Sequence, residues 1–101
     1  MSVPKTMFQL SGRGFPPTRI ANASLIIIDA QKAYLSGDLA LSGMDEALAN
    51  IAKLVTAARA AKRPVVHIRH LGTVGGLFDP QGERGEFIKG FEPQVDEAVV
   101  E

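Results

Sequence analysis

Asp29 follows directly on the apolar run Leu25-Ile26-Ile27-Ile28. Four continuous apolar residues, three of them β-branched, read as a strand buried on both faces. A carboxylate at the carboxyl end of such a strand stands where open α/β sheets bind their ligands, and apolar neighbours suit it to proton transfer. The same residue can instead cap the helical turn expected over Ala30 to Leu35. Position alone leaves these two readings evenly matched. Gln31 and Tyr34 follow within one short turn. A glutamine amide can orient a carboxylate or a substrate carbonyl, and a tyrosine offers a flat apolar wall with a polar tip. On spacing alone, local packing is the stronger reading of both.

Two histidines, His67 and His70, lie near the next apolar run. Three residues apart on a strand, they point to opposite faces and cannot share one metal ion. His70, at the strand's carboxyl end, can enter the same cleft as Asp29. His67 reads as a packed or hydrogen-bonded core histidine. No further cluster of Asp, Glu and His supplies ligands, so no metal or other cofactor is expected. "GTVGG", Gly72 to Gly76, lacks both glycine-rich phosphate-binding spacings and reads as a turn or lid, which counts against a nucleotide-binding unit. Phe78 and Phe87 either wall a pocket or anchor the surrounding loop. The chain contains no cysteine, which removes disulfides, zinc knuckles and thiol catalysis from these residues.

The elements that must position these groups are legible in outline. Residues 1–22 read as an irregular N-terminal arm, broken by Gly12, Gly14, Pro16 and Pro17. Phe8, Leu10, Phe15 and Ile20 are suited to pin that arm onto a neighbouring surface. Gly43 to Ala61 reads as a helix with Met44, Ala47, Leu48, Ile51, Val55 and Ala58 on one apolar stripe. Ser42 is the expected cap, with Asp45 in the capping-box position, and Pro64 forbids continuation. Pro64 to His70 reads as a second strand, with Val65, His67 and Arg69 on one face and Val66, Ile68 and His70 on the other. Leu71 to Gln94 reads as a long loop with one helical turn around Glu86 to Lys89. Val95 to Val100 opens a third strand. Strand, helix, strand with short links makes a βαβ unit and a parallel sheet. One clear helix covers only one face of such a sheet. The sheet is therefore expected to be incomplete within these 101 residues.

Charge and composition narrow the function classes. Eleven basic and eleven acidic side chains cancel, so neither a nucleic-acid partner nor an anionic membrane surface follows. No apolar run approaches the roughly 20 residues of a membrane span. The first residues lack the apolar core of a signal peptide, and a cytoplasmic protein is the expectation.

Taken together, "LIIIDAQKAYLSGDLAL", the capped helix, "RPVVHIRHLG" and "LFDPQGERGEFIKGFEPQVDEAVVE" resemble the isochorismatase-like cysteine hydrolases, over residues 23–101. The strongest element is an apolar strand, then D-x-Q, then an aromatic three residues after the Gln: Asp29, Gln31 and Tyr34. The resemblance implies a three-layer α/β/α sandwich around a mostly parallel, Rossmann-like sheet. It implies an Asp–Lys–Cys triad with Asp29 as the acid–base residue, Gln31 and Tyr34 bordering the substrate pocket and His70 on its rim. It implies a small-molecule substrate, an amide or a similar C–N or ether-type compound, and no cofactor. The family's lysine would follow Val99 and Val100, and its cysteine would lie further on. Neither is present, and Lys32 and Lys89 stand at the wrong positions. His70 and Gly72 occupy the places of the metal-binding Asp and His of nicotinamidases, and Lys32 and Ala33 those of an Asn-Asp pair. A nicotinamidase-type metal site is not expected. This chain alone is expected to be inactive. The alternative is a non-catalytic module that associates with itself or with a partner chain, and a homo-oligomer is expected in either case.

Overall fold

The computed structural model describes residues 3–14 and 16–101. Three strands form one parallel sheet in the order β1 (Leu25–Ile28), β2 (Val65–Ile68) and β3 (Ala98–Val100). Leu25 pairs with Val65 and Ile27 with His67; on the other side His67 pairs with Val99. The short helix α1 (Met7–Leu10) lies in the arm, and α2 (Met44–Ala60) crosses from β1 to β2.

The pleat decides which side chains α2 covers. Ile27, Ala30, Val55, Ala58 and Val65 form the core, with Leu25, Ile51 and Phe91 packed against it. Val55 and Ala58 lie on the apolar stripe of α2, three residues apart and so on one face. Each fully buried Ile or Val contributes about 1.5–3 kcal/mol. On the opposite face of the sheet, Ile26, Ile28 and Val100 are more than half exposed. The helix thus covers one face, and the other is open.

Several local expectations are corrected. The helix is preceded not by a Ser42 cap but by Gly43, at φ 74, with no side-chain cap bond. Only glycine enters that left-handed region without strain, so the turn into α2 is made by backbone. Asp45 and Glu46 still occupy the first turn, where they complement the helix dipole. β2 is shorter than Pro64 to His70 because the His70 N–H donates to the Gln31 side chain. The stretch after Glu86 is extended rather than helical. Lys32 N–H donates to Glu86 O, Ile88 N–H donates to Ala30 O, and Gln31 bridges Phe87 in antiparallel sense. The helical turn lies earlier, at Glu83–Gly85. β3 begins at Ala98 rather than Val95, since Gln94 to Glu97 closes as a turn.

The arm is neither wholly irregular nor docked as expected. Thr6 and Gln9 form a reciprocal capping box around α1, a spacing visible in the sequence as T-x-x-Q. Phe8 and Leu10 are exposed, whereas Ile20 is half-buried in a helical turn (Ile20–Asn22) beside α2. Phe15 lies outside the described residues. No described helix is long and apolar enough to cross a membrane.

Candidate active site

Asp29 ends β1 because its backbone leaves the strand, at φ 56. Aspartate tolerates this left-handed conformation better than most residues, and the expected cost is about 1 kcal/mol. Its N–H still donates to Ile68 O, holding the residue to the sheet edge, and Gln31 N–H donates to its carbonyl. The following turn, Lys32–Tyr34, starts at Gln31 and has no side-chain cap. Asp29 is therefore not a helix cap, which separates the two readings that position alone left level. Among the described residues nothing hydrogen-bonds its carboxylate, and the residue is half-buried.

Asp29 lines a cleft of about 300 Å³ between the end of β1 and the first turns of α2. Its walls are Ile28, Ala30, Tyr34, Leu41, Met44, Ala47, Leu48 and Ile51. Asp29 and Tyr34 thus meet in one cleft. The Tyr34 ring packs on Phe78 with centroids 5.5 Å apart. Phe78 in turn meets the exposed His70 edge-on at 4.6 Å. His70 reaches this site only through Phe78, so the loop phenylalanine that sequence alone could not assign is the link in an aromatic row.

Gln31 is placed differently. It is 0% exposed, behind the cleft wall. Its Nε2 donates to His70 O and Gly85 O, both at 2.9 Å, and its Oε1 accepts from His70 N–H at 2.9 Å. Every amide hydrogen is spent on backbone, so the side chain clasps the ends of three segments. Gly85 completes this clasp: its carbonyl also accepts from Arg69 Nε, and a Cβ there would collide with the Asp79 backbone carbonyl. Arg69 spans from Gly85 to Pro80 O with its guanidinium over Phe87. Together these bonds fix the long loop that presents Phe78.

A second polar cluster occupies the helix-covered side of the sheet. His67, 1% exposed, meets Glu97 at 2.8 Å through Nε2. Arg59 of α2 donates to both Glu97 oxygens at 2.8 Å, and Gln94 N–H donates to Oε1. The Arg59 pairing, against the cost of burial and with help from Gln94 and His67, lowers the Glu97 carboxyl from 4.5 to about 2. An ionised carboxylate can only accept, so His67 Nε2 carries the proton, leaving Nδ1 without a partner among the described residues. A hollow of about 620 Å³ adjoins this cluster between Arg59, Lys62, Arg63 and Asp96. It lies at the amino end of β2, the wrong edge for a ligand in an open α/β sheet, and its Arg59 is committed to Glu97. Among the described residues no group of three or more His, Asp or Glu is placed to hold a metal ion.

With the geometry in place, similarity to known proteins becomes informative. The family model for the isochorismatase domain matches residues 23–101. The secreted isochorismatase effector Isc1 of Verticillium dahliae is 36% identical over 90 residues, 86% of this chain and 47% of its own. The crystal structure of an isochorismatase from Pseudomonas putida KT2440 superposes with TM-score 0.90 at 66% identity, over 96% of this chain and 50% of that one. A cysteine hydrolase from Pseudomonas syringae pv. phaseolicola shares the fold, with TM-score 0.67 and 24% identity over 84% of this chain and 48% of its own. The chain spans about half the length of these relatives. Their fold makes the parallel sheet with one open face an incomplete α/β sandwich.

Proposed function

This chain belongs to the isochorismatase family, and from that premise we propose that it carries the acid–base component of a cysteine hydrolase. The substrate is a small amide or a similar C–N or ether-type molecule. Asp29 accepts the proton of a thiol supplied from outside these residues, and the thiolate attacks the substrate carbon. The same carboxyl then gives that proton to the departing nitrogen or oxygen; water, losing a proton to Asp29, then breaks the carbon–sulfur bond, and that proton returns to sulfur to restore the thiol. The single observation that carries this reading is the Asp29 carboxylate itself: strained out of β1, unpaired among the described residues, and opening on an apolar cleft. Tyr34 walls the pocket, His70 stands on its rim behind Phe78, and Gln31 acts as a positioning residue through the His70 backbone. No metal or cofactor enters the scheme.

The chain has no cysteine, so catalysis needs a longer chain or a partner that supplies the Lys and Cys of the triad. The test compares these 101 residues with a chain extended to include both, using simple amides. Turnover is expected only from the longer chain; equal rates from the two would end the triad reading. An intact mass of the natural product near 20 kDa, about twice this chain, would supply the missing members.

A second reading is favoured by one observation, the exposure of Ile26, Ile28 and Val100 on the open sheet face. In it the chain is a non-catalytic module that associates with a copy of itself or another chain, and this contact also underlies the proposed homo-oligomer. Sedimentation of a compact, folded monomer would count against it. Neither a nucleic-acid nor a membrane partner is proposed. A cytoplasmic location is proposed; the Verticillium relative is named as secreted, so cell fractionation decides the point.

A further inference from the structure

The N-terminal arm carries more built structure than an exposed tail needs. Its helix α1 is closed at both ends. The capping box of Thr6 and Gln9 starts it, and Gly12, at φ 74, ends it, with Gly12 N–H donating to Gln9 O and Arg13 N–H to Phe8 O. One helical turn does not persist in water on such bonds alone, since isolated helices shorter than roughly 12 residues are marginal there. Yet no residue of α1 is buried, and Val3, Met7, Phe8 and Leu10 are each at least 67% exposed. The arm precedes the matched domain, which begins at residue 23. The Pseudomonas putida structure nevertheless matches 96% of this chain, so most of the arm has a counterpart there.

Charge shows what the arm fits. Its charged side chains, Lys5, Arg13 and Arg19, are all basic, and every acidic side chain of the sequence lies beyond it. Residues 23–101 hold eight basic against eleven acidic side chains, and residues 71–101 hold two against seven. Glu83, Glu86, Glu92 and Asp96 of that segment are exposed. A chain with no net charge is thus a basic, apolar arm joined to an acidic domain, and the arm of one copy is complementary to the domain of another.

We propose that the arm docks on a second copy of this chain, with Phe8 and Leu10 as its apolar anchors and Lys5 and Arg13 facing the acidic surface of residues 71–101. The exchange is reciprocal, as a two-fold dimer requires. Two arms and two receiving surfaces bring it to roughly the 20–30 residues a side of a stable interface. This contact is separate from the open sheet face and does not rest on the hydrolase reading.

Hydrogen exchange at the bonded amides of Leu10 to Arg13, followed at two protein concentrations about 100-fold apart, tests it. Docking on a second copy is expected to slow that exchange at least about tenfold at the higher concentration. The longer chain is expected to behave alike, because the arm lies outside the matched domain. Protection that does not change with concentration would place the arm on its own chain, and no protection at either concentration would leave it in solvent; each overturns the proposal. Lys5→Glu with Arg13→Glu, at exposed positions, is expected to remove the protection, and adding Glu83→Lys with Asp96→Lys to the same chain to restore it. Failure of that restoration, or full protection in Phe8→Ser, would also overturn it. The exchange reads the arm whether or not either chain turns over an amide, so loss of the hydrolase reading leaves this result standing.

Discussion

Two carboxylates, Glu97 and Asp29, have opposite surroundings. Glu97 accepts four hydrogen bonds, from Arg59, His67 and Gln94, and is held well below the usual carboxylate range. Asp29 accepts none from the described residues and sits in a strained backbone conformation. The first ties α2 to β2 and to the start of β3, and everything it offers is already taken. The second stabilises nothing visible and faces an open cleft. A satisfied charge holds a fold together, and an unsatisfied one at a sheet edge is available to a ligand. The contrast also separates the two histidines, since His67 belongs to the saturated cluster and His70 to the aromatic rim.

Substitutions that strike each side in turn test this division. Asp29→Asn, in a chain extended to include Lys and Cys, is expected to lower kcat/KM by about 10²–10⁴. The same change should leave the unfolding midpoint of the 101-residue chain nearly unmoved; a large loss of stability would show that Asp29 is structural after all. Gln31→Ala strands the His70 N–H and two carbonyls, and urea unfolding should register a loss of about 3 kcal/mol. Glu97→Gln leaves Arg59 underpaired and partly exposed, which argues for a smaller loss of about 2 kcal/mol. Its pH signature is distinctive. Because folding lowers the Glu97 carboxyl from 4.5 to about 2, its contribution is present above pH 4.5 and is lost as pH falls toward 2. The difference in stability between the unmodified chain and Glu97→Gln should therefore shrink through that window, and a constant difference would contradict the network. Smallest of all, Lys62→Gly should raise stability by about 0.5–1 kcal/mol. Lys62 holds φ 55 just beyond α2, while its N–H donates to Arg59 O and that of Arg63 to Ala58 O, the helix-ending pattern in which glycine is preferred.

Local periodicity was enough for some of this and not for the rest. The bounds of β1, the buried end of the α2 stripe at Val55 and Ala58, and the alternation of faces along β2 follow from neighbours within a few positions, and each stands as read. The capping box at Thr6 and Gln9 was equally local and equally visible. The Ser42 cap was wrong because a glycine in a left-handed turn can start a helix without any side chain, and a sequence does not print φ. The loop after β2 was wrong in detail because its extended stretch exists only through bonds to residues 54 to 58 positions away, between Lys32 and Glu86 and between Ala30 and Ile88.

The candidate site divides along the same line. That Asp29 stands at the carboxyl end of β1, and that these residues hold no thiol, was determined by the order and types of residues alone. Whether its carboxylate was already spoken for, that Gln31 is buried in a backbone clasp, and that Phe78 joins Tyr34 to His70 were decided only by tertiary structure. The physical reason is distance along the chain. Hydrophobic period and backbone preference act between near neighbours, whereas a hydrogen-bond partner 39 residues away is chosen only when the sheet brings it within reach.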